Sequence, residues 1–110
     1  MTKRPYMSNL TTSIQQFLTS SLSSKSEVQS FLDKYDSTVQ LQFVSALYIG
    51  RNHIHLSRFQ EQPTTLVANH INADEYARLI FEKGQNVNTY LEAFSRCAKE
   101  ADFDINTLSA

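Results

Sequence analysis

The chain has 110 residues, of which 41% are hydrophobic and 19% charged. These values exclude a disordered or fibrous chain and indicate a single globular domain over residues 1–110. The formal net charge of −1 excludes the strongly basic surface typical of nucleic-acid binding. Only two Gly and two Pro are present, too few turn residues for many short strands. Composition therefore favours an all-α fold.

The cysteine count and hydropathy bear on location. A single cysteine excludes an intramolecular disulfide and indicates a reducing compartment. No apolar run reaches the roughly 18 residues that a membrane span requires. We therefore expect a cytoplasmic protein that makes no membrane contact.

The first helix is predicted over residues 9–23, after a loose N-terminal arm of residues 1–8. Its apolar residues recur at spacings of three and four, which is a helical pattern. They are Leu10, Ile14, Phe17, Leu18 and Leu22. No charged residue occurs between Arg4 and Lys25. An uncharged outer face suits a helix at a subunit interface, although it also fits an ordinary solvent-facing surface.

A second helix is predicted to begin at Ser24, because Glu27 follows at the spacing of a capping box. Its apolar stripe consists of Val28, Phe31, Leu32 and Tyr35. Almost no linker separates this helix from the next apolar segment. The two must therefore turn sharply against each other.

The central segment, residues 36–51, has apolar residues on nearly every side, so protein must surround it. We predict an apolar helix over about residues 37–50. Ser37 and Gln40 fit a capping box at its start, and Gly50 fits a left-handed residue at its end. The alternative is a strand over residues 39–43 that returns through Ile54 and Leu56.

Residues 52–71 form the least regular stretch and are predicted to be a long loop with one short element. The next helix is predicted to start at Asn72 as N-cap, with Glu75 at the third position. Ile71 and Tyr76 are spaced to form a hydrophobic staple across the cap. Gly84 is expected to end this helix. The residues expected to face inward are Tyr76, Ala77, Ile80 and Phe81.

The last helix is predicted over residues 87–101 and has the most regular amphipathic pattern in the chain. Its stripe consists of Val87, Tyr90, Leu91, Phe94, Cys97, Ala98 and Ala101. The predicted architecture is thus a compact all-α bundle of four main helices around the central apolar helix.

The densest group of basic residues, Arg51, His53, His55 and Arg58, lies in the predicted loop. Such a group suits binding of a carboxylate, a phosphate or an acidic partner. If the segment is extended, His53 and His55 project to the same side, as two ligands of a metal would. Their spacing matches no strong zinc motif. We therefore predict no metal site. The structural alternative is that Arg51 forms an ion pair with Asp33 or Asp36 inside the fold.

No residue pattern predicts catalysis. Cys97 falls on the apolar side of the last helix, where a small core residue is expected rather than a nucleophile. No GxSxG or SxxK string surrounds a serine, and phosphate-binding loops require glycines that the chain lacks. We therefore predict neither catalytic residues nor a cofactor, and an enzyme is not the expected class.

The string FVSALYIGR (residues 43–51), followed by a tyrosine-led helix and by NVNTYLEAF (residues 86–94), resembles a family of small uncharacterised bacterial helical proteins. That family has an aliphatic centre with Ala-Leu and Gly-Arg, and a later Tyr-Leu helix. Residues 52–71 depart from its pattern. The resemblance implies a helical fold and a bacterial origin, and it implies no activity or site residues.

Two functions follow as hypotheses. The first is a small interaction protein that acts through a helical face, binding another copy of itself in a homodimer or another protein. It is motivated by the uncharged first helix and by seven Phe and five Tyr in a short chain. The alternative is a regulatory protein that binds a small ligand or anion through Arg51, His53, His55 and Arg58.

Overall fold

The computed structural model describes residues 9–20, 23–56, 59, 68, 71–105 and 108. These residues form five α-helices: α1 (Leu10–Leu18), α2 (Lys25–Leu32), α3 (Ser37–Arg51), α4 (Tyr76–Lys83) and α5 (Asn86–Glu100). A short 3-10 turn, Ala73–Glu75, precedes α4. The described part of the chain contains no strand, so the all-α prediction is confirmed and the strand alternative for residues 39–43 is wrong. The predicted arm of residues 1–8 lies outside the described residues.

The central helix α3 is the most deeply enclosed element. It packs most extensively against α5 and also against α1, while α2 packs on α4. Its buried residues are Val39, Gln42, Phe43, Val44, Ser45, Ala46, Leu47, Ile49 and Gly50. Burial on several sides explains why its apolar residues do not form one narrow stripe.

Gly50 allows close helix packing and does not adopt the left-handed backbone conformation predicted at the end of the helix. The helix continues through Arg51, and Asn52 after it keeps a right-handed φ of −81°. A Cβ atom on Gly50 would overlap the carbonyl oxygen of Tyr90 and lie 2.7 Å from its carbonyl carbon. The backbones of α3 and α5 therefore approach each other as closely as only glycine permits.

The start of α3 also differs from the prediction. The Asp36 carboxylate accepts a hydrogen bond from the Val39 N–H at 3.0 Å, so Asp36 is the N-cap. The predicted capping box of Ser37 and Gln40 is wrong. Gln40 instead donates to the carbonyl oxygen of Leu32 at 2.8 Å, which joins the end of α2 to the start of α3.

Two buried polar side chains of α3 attach distant parts of the chain to it. The Gln42 amide donates to the carbonyl oxygen of Leu108 at 2.7 Å. The Ser45 hydroxyl accepts from the backbone N–H of Ala68 at 3.2 Å. Because a buried polar group without a partner is costly, these bonds favour the observed positions of Leu108 and Ala68 against α3.

The predicted cap of α2 is confirmed. Ser24 is the N-cap, and its hydroxyl accepts from the Glu27 N–H at 3.1 Å. The Glu27 carboxylate reaches one residue further back, where it accepts from the N–H of Ser23 at 2.6 Å and from its hydroxyl at 2.9 Å. These hydrogen bonds, first the backbone bond from Ser23, lower the pKa of Glu27.

Glu27→Gln is therefore expected to reduce the loss of stability in acid. A carboxyl group with a lowered folded-state pKa stabilises the fold above its ordinary pKa of 4.5, and this contribution is lost as the pH falls through the lowered value. Urea unfolding from neutral pH to well below 4.5 measures the effect. The wild type should lose more stability than the variant over this range, and equal losses would contradict the assignment.

The α4 region differs from the prediction in its capping bond and at one inward residue. Asn72 is the N-cap of the 3-10 turn that leads directly into α4, but its side chain makes no capping hydrogen bond. Phe81, expected to face inward, is 45% exposed. Gly84 ends α4 as predicted, with a φ of 57° that strains any residue with a side chain.

The last helix matches its predicted pattern, with the start and end shifted by one residue. Its buried residues are Val87, Leu91, Ala93, Phe94, Cys97 and Ala98. Among the helices described, none has both the length and the apolar content to cross a membrane.

Candidate functional site

The predicted basic residues Arg51, His53 and His55 lie in a helical turn at the end of α3, which we call the basic turn (residues 51–56). Backbone N–H groups of His53 and Leu56 donate to carbonyl oxygens three residues back, at 2.9 and 3.0 Å. The expected extended segment is therefore wrong. Side chains two residues apart in such a turn point roughly 200° apart. The two histidines thus do not share one side, as metal ligands would.

His53 already has structural partners. Its Nδ1 lies 2.7 Å from the carbonyl oxygen of Ile49. Since a carbonyl only accepts, Nδ1 carries the hydrogen and donates. The ring meets Phe59 edge to face, with centroids 5.0 Å apart. Only Nε2 of His53 is left to contact a ligand.

Arg51 and His55 are both exposed. Arg51 ends α3 and Asp36 begins it, so the rise of the helix separates them by about 22 Å. Within the described residues, Arg51 makes no ion pair with Asp36 or Asp33. The structural alternative for Arg51 is therefore wrong. Arg58, the fourth predicted residue, lies outside the described residues.

A cation that the sequence reading did not select, Arg96 of α5, contacts the basic turn directly. Its guanidinium donates to the carbonyl oxygens of Ile54 at 3.0 Å and of Leu56 at 3.0 and 3.2 Å. These carbonyls follow the C-terminus of α3, where the helix dipole concentrates negative charge. Positive side chains at this place compensate that dipole, which is a structural role.

Cys97 lies beneath the basic turn with its thiol fully buried. The Sγ atom is 3.4 Å from the carbonyl oxygen of Leu56, to which the S–H donates. The carbonyl oxygen of His53, a backbone atom, lies 3.9 Å from the same Sγ atom. This is the environment of a small core residue, as predicted. The described residues contain no group of three or more His, Cys, Asp or Glu side chains arranged to hold a metal ion.

A second feature is a surface cavity of about 620 Å³ where the ends of α1 and α4 face the starts of α2 and α5. We call it the uncharged groove. Its described lining residues are Phe17, Ser20, Ser23, Val28, Ile80, Phe81, Gly84, Gln85 and Asn88. The buried aromatic and aliphatic side chains form an apolar floor, and hydroxyl and amide groups border it. None of these lining residues carries a charge.

Three charged residues are adjacent to the groove in sequence. The ammonium of Lys83 lies 5.0 Å from the centre of the Tyr48 ring, on α3. The carboxylate of Glu27 accepts from Ser23, a lining residue, so this charge lies at the border of the groove and is hydrogen-bonded there. Glu82 pairs with Arg78 at 3.2 Å on the exposed side of α4. The groove therefore presents hydroxyl, amide and aromatic groups, which suit a neutral polar and apolar partner surface better than an ion.

Sequence reasoning missed Arg96 and the exposure of Phe81. Phe81 directly follows the buried Ile80, so it lies about 100° round α4 from that residue, and this offset was the available signal. Arg96 gave no comparable signal, because its partners are some 40 residues away in the chain.

Neither a known protein-family model nor a curated protein or solved structure matches this chain.

Proposed function

We propose that the protein is a small interaction protein that acts through a helical face and forms a homodimer. The observation that carries the proposal is the uncharged groove with the exposed ring of Phe81 at its border. Aromatic residues on an otherwise polar surface are characteristic anchors of protein interfaces. Leu56 is the other large apolar residue exposed among those described, and it lies outside the groove.

The described lining residues of the groove carry no charge, which supports a second copy as the partner, and the nearest carboxylate, that of Glu27, is bonded to Ser23 at the border. In a two-fold interface the same patch meets itself, so a patch of one charge sign would repel its copy. The groove residues avoid this penalty. Residues 9–20, which form α1 and its flanks, are uncharged as well and lead directly into the groove through Ser20.

The size required of an interface supports including α1 in the proposed face. A standard interface buries about 800 Å² on each partner, which is more than the groove alone offers. The outer side of α1 supplies further uncharged side chains, of which Thr12 and Gln16 are partly exposed, whereas Gln15 lies in a separate cavity that it shares with Lys99 and Asp104. The proposed interface therefore combines α1 with the groove, and Phe81 is its aromatic anchor.

Phe81→Asp is expected to raise the dimer dissociation constant by about a hundredfold or more, because it removes the anchor and buries an unpaired carboxylate. Leu56→Asp is the matched control, since it places the same charge on an exposed apolar position outside the groove. Sedimentation equilibrium of both variants measures the effect. Equal dissociation constants for wild type and Phe81→Asp would reject this face as the interface.

The alternative, an anion-binding regulator, has less support from the geometry. His53 has one ring nitrogen occupied by Ile49, and Arg96 is directed at backbone carbonyls. Of the predicted site residues that the structure describes, Arg51 and His55 have exposed side chains that could contact an anion. Binding through Arg51, His53, His55 and Arg58 stays a prediction.

A further inference from the structure

The basic turn is attached to the bundle mainly by hydrogen bonds near the surface. Its residues 51, 52, 55 and 56 are exposed, and residues 53 and 54 are only partly buried. The side chain of Arg96 makes its bonds to the turn carbonyls at an exposed position. A segment with little buried apolar surface and solvent-accessible hydrogen bonds has the features of a low-energy local opening.

The residues beneath the turn are buried, unlike the turn itself. Phe94 and Cys97 of α5 are fully buried, and Phe94 meets the buried Phe59 with ring centroids 5.7 Å apart. The thiol of Cys97 is covered by the carbonyl oxygens of His53 and Leu56. Lifting the turn removes these two carbonyl oxygens from the thiol, while the contact of α3 with α5 at Gly50, directly before the turn, and the bond from the Phe59 N–H to the Cys97 carbonyl oxygen stay in place.

We propose that the basic turn is a strap that opens while the five helices stay folded, and that Arg96 sets how often it opens. The planar guanidinium of Arg96 spans the carbonyl oxygens of Ile54 and Leu56 at once. Neutral or single-point donors at this position cannot reproduce that fork. The open form presents the Cys97 thiol and the apolar surface around it, a surface separate from the uncharged groove.

Thiol labelling tests the strap, because the chain has one cysteine and the signal has a single source. The folded protein is treated with an aromatic disulfide reagent over a series of low urea concentrations. Opening of the strap alone predicts labelling faster than the global unfolding equilibrium allows, with a weaker urea dependence than the global transition. A urea dependence equal to that of global unfolding would overturn the proposal.

Three variants separate local from global opening. Arg96→Gln is expected to accelerate labelling about tenfold, the size expected when a charged hydrogen-bond donor is lost. Lys99→Gln removes the same charge from a neighbouring exposed position of α5 and should leave labelling unchanged. Gly84→Ala strains the end of α4, away from the strap, and lowers global stability.

If the strap opens locally, Gly84→Ala leaves the Cys97 labelling rate at its wild-type value. A rise that matches the loss of global stability would show that labelling requires unfolding, and would overturn the proposal. An unchanged rate in Arg96→Gln would equally reject the role of Arg96.

Discussion

Replacing Gly50 with alanine is expected to lower the free energy of unfolding by about 3 kcal/mol, a typical upper value for forcing extra volume into a packed interior. The added Cβ would overlap the carbonyl oxygen of Tyr90, and it would lie 3.3 Å from the Cβ of Phe94. The nearest obstacle is backbone, which cannot rotate away as a side chain can. The two helices must therefore move apart along their most extensive contact.

Whether Gly50→Ala lowers or raises the free energy of unfolding distinguishes two opposing effects. In a helix interior without tertiary contact, alanine is more favourable than glycine by about 1 kcal/mol. Urea unfolding of Gly50→Ala measures which effect dominates. The control is Gly84→Ala, where nothing lies within 4 Å of the added Cβ and only the positive φ opposes it. Stabilisation of the protein by Gly50→Ala would contradict the close α3 and α5 approach.

Phe43→Ala is expected to cost about 3–5 kcal/mol, as for other large-to-small changes of fully buried aromatic residues. The ring is 1% exposed and lies 5.4 Å from the ring centroids of both Phe17 and Phe31. These contacts join α1 and α2 to the central helix. The cavity left by truncation would therefore weaken three helices at one point.

Phe81→Ala is the matched control for Phe43→Ala, because it truncates the same residue type at a position that is 45% exposed. Its effect on the stability of the single chain should be about 1 kcal/mol, because only about half of the residue is buried. Unfolding is followed at two protein concentrations, since loss of a dimer contact would change stability only where the dimer is populated. A cost at Phe43 as small as that at Phe81 would contradict the described core.

The presence of the helices could be predicted from the sequence because each has its own periodic signal, but α1 ends at Leu18 and not at residue 23 as predicted. The stripe of α5 and the glycine after α4 are local patterns, and the structure contains both. The start of α3 differs from the prediction, because Asp36 rather than Ser37 provides the capping side chain. Several residues of suitable type lie near this start, and tertiary contacts such as that of Gln40 with Leu32 decide between them.

Gly50 shows a different limit of sequence reasoning. A glycine near the end of a helix fits both a left-handed cap and a close helix crossing, and only the position of Tyr90, forty residues later, separates the two. Three polar residues that interrupt the apolar pattern of α3 are a related case. Gln42 and Ser45 bond to Leu108 and Ala68, which are 66 and 23 residues away, and Gln40 bonds to Leu32 at the end of α2. No local pattern reveals these partners.

For the candidate sites too, only the features that depend on neighbouring residues in the sequence could be predicted. Arg51, His53 and His55 are adjacent in sequence, so their proximity could be predicted, but the helical turn that separates their directions could not. The uncharged groove draws its lining from four helices and the segments next to them. The uncharged character of residues 9–20 was the one part of that face visible in the sequence.

The strap and the groove are independent features, and their tests are independent too. Phe81→Asp changes the groove and leaves the contacts of Arg96 in place, while Arg96→Gln does the reverse. A monomeric protein with a local opening at Cys97 would reject the dimer and keep the strap. A dimer whose labelling follows global unfolding would do the opposite.

The molar mass of the unmodified protein in solution tests the proposed function most directly. Light scattering coupled to size exclusion, over a concentration series through the micromolar range, should give twice the chain mass of 12.6 kDa at the upper end and a decrease on dilution. A mass of 12.6 kDa throughout the series would contradict self-association through the helical face.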